Sequence, residues 1–324
     1  MTVETEIWNV LRAPGARALL ISHKNPDGDT LGSMLAMWNT LSRENIPALP
    51  FCVDQPSEAF QFLPGVRSIV DDPEAAREFR PTVIVVFDAG NLDYAGVADL
   101  VAGIREEKPV ATLIVVDHHY TNKRYGDLNL VVDTSSSTAE ITAGLLRAGG
   151  VSFSTAIAQC LLTGVVTDTG AFSNAATTTE SLVLASRLLE GGAKLSTILE
   201  HTFRNKNIPT LKLWGKIFSE LKQTPDGSVV AFISQADIEH FGVNEEGTES
   251  IANFLQTIGD AKMIAVIKEL PSGELKGSLR TTRDDVDVSA IAVSYGGGGH
   301  KKAAGFPTAG RLVIDGTGWR IERS

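Results

Sequence analysis

Three short apolar runs constrain this chain more than any other feature. Ala16 to Ser22 ends in ALLIS, Thr82 to Phe87 reads TVIVVF, and Thr112 to Val116 reads TLIVV. None alternates apolar with polar residues, so each predicts a strand covered on both faces, as in a parallel sheet between helices. Ala48 to Val53 supplies a further strand. Leu31, Met34, Leu35, Trp38 and Leu41 fall at the i, i+3, i+4, i+7 spacing of a helix face. Further helices are predicted over 141–146, 154–166 and 181–189. Ser137 with Glu140, and Thr177 with Glu180, read as capping boxes that open the first and last of these. The first half therefore predicts an α/β domain, an open parallel sheet flanked by helices.

Gly191-Gly192 stops this pattern, and a mixed polar stretch from about Lys194 runs to Asn207 before Pro209. The expected division is a first domain over 1–190, a linker over 191–208 and a second domain over 209–324. At 324 residues, two domains is also what the length favours. The second part predicts helices over 210–221, 249–257 and 288–295 among strands at 228–233, 262–269 and 274–281. That is the make-up of a smaller α+β domain.

Composition narrows the function. Hydrophobic residues at 43% and charged residues at 21% describe a soluble chain with a proper core. Apolar runs fall far short of the ~20 residues of a membrane span, so no membrane partner is expected. The first residues, Met1-Thr2-Val3-Glu4, lack a basic stretch leading into an apolar one, so no signal peptide is read. Cys52 and Cys160 lie in apolar segments and read as buried thiols of a cytoplasmic protein. A net charge of −10 argues against long duplex nucleic acid, which needs many phosphate-neutralising cations. A short anionic ligand in one basic cleft remains open.

Chemistry concentrates where the strands end. His23-Lys24-Asn25-Pro26-Asp27-Gly28-Asp29 follows the first strand; Asp88-Ala89-Gly90 follows TVIVVF; Asp117-His118-His119 follows TLIVV. Asp168 closes the apolar helix after Val166. In a parallel α/β sheet, sites form beyond the carboxyl ends of strands. A single such aspartate is ordinarily a helix N-cap or turn residue, and the first segment alone could be a solvated turn. Capping is a poor account of three strand ends that all deliver carboxylate or imidazole. Several carboxylates, fewer imidazoles and no nearby thiolate favour manganese, then magnesium or iron, over structural zinc. Two ions roughly 3.5–4 Å apart, sharing a carboxylate, would clamp the attacking and leaving oxygens of a phosphoryl centre. Spacing does not tell His118 from His119. No Cys–His nucleophile pair, HExxH helix or GxxxxGK[ST] loop supports another chemistry.

In the second half, Gly296-Gly297-Gly298-Gly299 precedes His300, Lys301 and Lys302. Consecutive glycines bring backbone N–H groups close to an anion, and the basic residues add positive potential. The alternative is a helix C-cap that needs positive φ. Arg280, in Lys276-Gly277-Ser278-Leu279-Arg280, has the group that pairs with a terminal phosphate in bidentate fashion, but a lone arginine on a strand signals nothing by itself.

The set His23-x-x-x-Asp27-x-Asp29, Asp88, Asp117-His118-His119 and Asp168 resembles the four motifs of the DHH phosphoesterase superfamily. The segment from Gly296 to Gly305 is similar to the GGGHxxAAG signature of the DHH-associated C-terminal domain, with one extra glycine. The resemblance spans nearly the whole chain and is strongest to the superfamily's oligoribonuclease and 3′-phosphoadenosine-5′-phosphate phosphatase branch. It implies a second domain across a cleft and two divalent metal ions, manganese above all. It assigns one ion to His23, Asp27 and Asp88, and the other to Asp29, Asp88, His118 and Asp168. His119 would bind a phosphate oxygen or protonate the leaving group, with Asp117 orienting the histidines. Arg280, Gly297, Gly298, Gly299 and His300 would bind substrate: short RNA, linear dinucleotides such as pApA and pGpG, or 3′-phosphoadenosine 5′-phosphate. A homodimer is compatible with this reading. The same motifs also serve cyclic-dinucleotide phosphodiesterases and single-strand exonucleases, and a catalytically silent nucleotide sensor could keep the fold. His201, His240 and the tryptophans 8, 38, 214 and 319 read as packing or surface residues. Arg105 to Lys108 reads as a solvated helix end, and Ser135 to Ser137 as capping residues near the site.

Overall fold

The apolar runs form the middle of a five-stranded sheet. Its strands are β1 (Ala18–Ile21), β2 (Ala48–Phe51), β3 (Val83–Phe87), β4 (Thr112–Asp117) and β5 (Leu128–Val131). They lie in the order β2-β1-β3-β4-β5, and every pair is parallel. The computed structural model describes residues 2–107, 111–204, 206–243, 247–248, 251–315 and 318–322. Two compact units divide the chain, Met1–Asn205 and Lys206–Ser324.

In the first unit, helices cover both faces of the sheet, which is why its strands carry no polar alternation. These helices are α1 (Val3–Leu11), α2 (Gly28–Arg43), α3 (Pro73–Glu78), α4 (Leu92–Ala95), α5 (Ala98–Glu107), α6 (Thr138–Ala148), α7 (Thr155–Asp168), α8 (Thr179–Glu190) and α9 (Leu195–Thr202). Leu20, Val83, Val85, Phe87, Ile114 and Val116 point into the larger core, with α2, α6 and α7. Leu19, Ile21, Ile84, Val86 and Leu113 point into the smaller one, against α5. Strand order reverses between β1 and β3, the switch point where an open α/β sheet forms its ligand crevice.

Two glycines set how closely α2 and α7 approach. A Cβ at Gly32 would meet the Cys160 carbonyl oxygen at 2.4 Å, and one at Gly164 would meet Asp29 Oδ1 at 2.7 Å. Any larger side chain would push apart the helices that carry Asp29 and Asp168. Cys52 and Cys160 are buried free thiols.

Three expectations need correction here. The expected linker over 191–208 contains helix α9, whose Ile198 is buried in the larger core; its polar residues are simply the solvent face of an amphipathic helix. Helix α8 begins at Thr179, two residues before the expected start, and its N-cap lies one residue later than expected, with Thr178 and its reciprocal partner Ser181 rather than Thr177 and Glu180. At α6, Ser137 caps the Glu140 N–H, while the Glu140 carboxylate reaches back to Ser136 instead of closing a box on Ser137.

The second unit holds a six-stranded mixed sheet made of β6 (Lys222–Gln223), β7 (Val229–Ile233), β8 (Ile264–Glu269), β9 (Leu275–Arg280), β10 (Gly298–His300) and β11 (Ala303–Thr308). The order is β10-β11-β9-β8-β7-β6, with only β7 and β8 parallel. A hairpin of β12 (Arg311–Asp315) and β13 (Gly318–Glu322) completes the unit. The helix expected over 249–257 is observed as Ile251–Leu255; Glu249 lies outside the described residues, as does Lys108. Among the described residues, no helix is long and apolar enough to cross a membrane.

Candidate metal centre

Beyond the carboxyl ends of β1, β3 and β4, the fold gathers His23, Asp27, Asp29, Asp88, His118, His119 and Asp168. Three sets have ligand atoms within 4.8 Å of one another: His23, Asp27 and Asp88; Asp29, His118 and Asp168; and Asp88, His118 and His119. Asp88 belongs to two of them. His23 Nε2 lies 3.6 Å from Asp88 Oδ2 and 3.8 Å from Asp27 Oδ1. His118 Nε2 lies 3.6 Å from both Asp88 Oδ1 and Asp168 Oδ2. These separations are too long for hydrogen bonds. They approach the roughly 3.0–3.5 Å between two donors that share an ion about 2.1 Å away.

Each side chain is held by its own element. His23 donates Nδ1–H to the Lys24 carbonyl at 2.7 Å, which turns Nε2 toward the carboxylates. Such a bond is the usual orienting contact of a metal-ligating imidazole. Asp27 is both a member of the cluster and the N-cap of α2, accepting the N–H groups of Asp29 and Thr30. Asp29 is buried and spans to α6: its two oxygens accept the N–H groups of Thr138 at 2.7 Å and Ala139 at 2.8 Å. Asp88 follows β3 in a left-handed conformation, φ 57°, which costs a non-glycine residue about 1–2 kcal/mol. Its Oδ1 accepts the Thr138 hydroxyl at 2.9 Å.

Asp117 is fully buried and does something different. One oxygen accepts the backbone N–H groups of His118 and His119 and the Nδ1–H of His119; the other accepts Asn122 Nδ2 at 2.6 Å. A carboxylate so occupied orients its neighbours.

The crowding appears in the titrations. Burial first, then the charges of Asp88, Asp168 and Asp27, raise the Asp29 carboxyl well above the ordinary range. Asp168 is pushed up to about 7, by burial and by Asp88 and Asp27 against the relief of His118. Asp88, against its own burial, is held low by His23 and then by His119 and His118. The imidazoles respond in the opposite sense. Burial opposes their charge, but His23 rises to about 9 beside Asp88 and Asp27, and His119 to about 9 beside Asp117 and Asp88. A buried group of carboxylates with two resisting ionisation is a site that a divalent cation would stabilise. The donor set, hard oxygens with imidazole nitrogens, fits such an ion.

In the second unit, the four glycines have separate roles. Gly296, φ 85°, follows the helix Val288–Ser294 and its C-cap Tyr295. Gly296 N–H bonds the Val293 carbonyl and Gly297 N–H the Ala292 carbonyl, a Schellman ending. A Cβ at Gly297 would meet the Gly305 carbonyl oxygen at 2.1 Å, and one at Gly299 would meet that of Ala303 at 2.6 Å. At Gly298 a Cβ would meet nothing within 4 Å. The helix-cap explanation thus accounts for Gly296, and packing on β11 for Gly297 and Gly299. Lys302 Nζ donates to Asp284 at 2.8 Å and to the Thr282 carbonyl. Arg280 ends β9 between β8 and β11, largely buried, and its Nη1 donates to the Leu279 carbonyl. The His300 side chain lies outside the described residues.

Residues 17–165 match the DHH family, N-terminal domain, and residues 226–311 match the DHHA1 domain. A Thermus thermophilus protein named bifunctional oligoribonuclease and PAP phosphatase NrnA is 30% identical over 306 residues, covering 94% of this chain and 88% of its own. The chain belongs to the DHH family. Its Bacillus subtilis relative of the same name is 26% identical, with 92% of each chain covered. An exopolyphosphatase-related protein from Bacteroides fragilis shares the fold, with a TM-score of 0.88 at 22% identity over 95% of this chain and 92% of that one.

As a DHH protein the chain is a phosphoesterase, and its acidic, histidine-bearing cluster can bind metal. Sequence reasoning missed the supporting residues Thr138 and Asn122. Thr138 lies within a segment read as capping residues, and Asn122 follows the DHH triplet with no periodicity to mark it. Their roles come from contacts that only the folded chain makes: Thr138 to Asp88, 50 positions apart, and Asn122 also to the Ala89 carbonyl.

Proposed function

We propose that this DHH protein is a manganese-dependent hydrolase of short nucleotides. Its substrates are RNA fragments of a few residues and linear dinucleotides such as pApA and pGpG, cleaved to mononucleotides, and 3′-phosphoadenosine 5′-phosphate, converted to AMP. The observation that carries this reading is the position of Asp88, which stands at once with His23 and Asp27 and with His118. Two ions would share it, one held by His23, Asp27 and Asp88, the other by Asp29, Asp88, His118 and Asp168. When bound, such a pair supplies the Lewis acidity and the acidified water of phosphoester hydrolysis.

The chain's own residues do the remainder. Asp117 fixes His119 through Nδ1, so that Nε2 is the ring nitrogen offered to a phosphoryl oxygen or to the leaving oxygen as proton donor. Thr138 and the α6 N-terminus hold Asp88 and Asp29 in place. Arg280, Gly298 and His300 of the DHHA1 unit would bind the nucleotide, Gly298 being the glycine whose bareness the local packing does not require. The names of the Thermus and Bacillus relatives support the same substrate class.

The test is a side-by-side time course with manganese on a 5′-labelled RNA pentamer, pApA, cyclic di-AMP and 3′-phosphoadenosine 5′-phosphate. Cleavage of the pentamer, pApA and the 3′-phosphate is expected. Preferential opening of the cyclic dinucleotide, or manganese uptake with no hydrolysis of any of the four, would refute it.

A further inference from the structure

Tyr94 lies outside every motif yet beside them. It sits on α4, where Asn91 Oδ1 accepts its backbone N–H at 2.7 Å. The next carbonyl, that of Ala95, accepts the Lys24 N–H at 3.2 Å, which fastens this short helix to the loop carrying His23. The Tyr94 ring accordingly rests 5.3 Å from the His23 imidazole, centroid to centroid, tilted by 51°. Even so, 48% of the residue remains exposed. A core role would have covered that surface; a flat ring left open beside a candidate ligand can stack another ring.

We propose that Tyr94 is a specificity-determining residue whose ring stacks the nucleobase adjacent to the scissile phosphate. The inference rests on the reading above, that phosphate is processed at the cluster containing His23. With the ester there, the attached nucleoside is the nearest part of the substrate that can reach a ring standing against that imidazole. Base–aromatic stacking tolerates every base, so this contact would favour nucleotides over other phosphoesters without selecting a sequence.

The experiment compares wild type, Tyr94→Phe and Tyr94→Leu on pApA and on its abasic counterpart, which lacks the base beside the scissile phosphate, with a manganese titration of each protein. Tyr94→Leu should raise KM for pApA on the order of tenfold, change the abasic substrate less than about twofold, and leave manganese uptake intact. Tyr94→Phe, which keeps the ring, should restore wild-type KM. Equal losses on both substrates, no loss on pApA, or a Phe variant as impaired as Leu would overturn the stacking role while leaving the metal centre standing. A wild-type protein that takes up no manganese would remove the underlying reading, and this inference with it.

Discussion

One oxygen of Asp117 accepts three hydrogen bonds: the Nδ1–H of His119 at 2.8 Å and the backbone N–H groups of His118 and His119 at 2.8 and 3.2 Å. The carboxylate therefore sets both the turn that presents the histidines and the ring orientation of the second. Asp117→Asn preserves the volume but brings an amide N–H₂ among donors that need an acceptor. Turnover on pApA should fall on the order of 10–100-fold, with a smaller change in KM. A variant with wild-type kcat would show that His119 needs no such partner.

Asp88 is the carboxylate that the proposed pair of ions would share, so Asp88→Asn should remove more than about 100-fold of the activity. Asparagine tolerates the left-handed φ of this position, so the variant should fold. Activity rescued fully by added manganese would contradict a shared carboxylate.

The shifted titrations predict a pH slope for the metal-free protein. Asp168, raised to about 7, favours its protonated form in the fold; its stabilising contribution is complete below its unfolded pKa of about 3.9 and is lost as pH climbs through about 7. His23 and His119, raised to about 9, contribute fully below about 6.5 and lose that contribution as pH rises through about 9. Asp88 runs the other way, but its loss begins only below about pH 4. Between pH 5 and pH 9 the metal-free unfolding temperature should therefore fall, and saturating manganese should flatten the slope. Thermal scans with and without chelator decide this, and a slope indifferent to manganese would count against ion binding at the cluster.

Neighbouring glycines should separate folding from binding. Gly297→Ala forces a Cβ against the Gly305 carbonyl and should destabilise the protein by about 1–3 kcal/mol in urea unfolding. Gly298→Ala meets nothing and should unfold like wild type, yet raise KM for pApA if its bare backbone faces the ligand. An unaltered KM would take Gly298 out of the binding site.

Much of the first unit was legible because its signals are short-ranged. Continuous β-branched runs announced buried parallel strands, and their polar termini announced where chemistry would gather. Contacts between distant segments left no such mark. Nothing in Ser136-Ser137-Thr138 shows that Thr138 donates to Asp88, and nothing in Asn122 shows that it binds Asp117. Helix α9 was missed because its apolar stripe is short and its other face polar, which reads as a linker until Ile198 is seen in the core. The glycine tract misled differently: four residues of one kind answer to a helix ending, two close packings and one position without a local reason.

Asp29 ties α2 to the first turn of α6 across more than a hundred positions of chain. The carboxylate proposed to help cage a cation is thus also a rivet of the scaffold. A substitution there would strike architecture and chemistry together, so this position offers little freedom to trade one for the other.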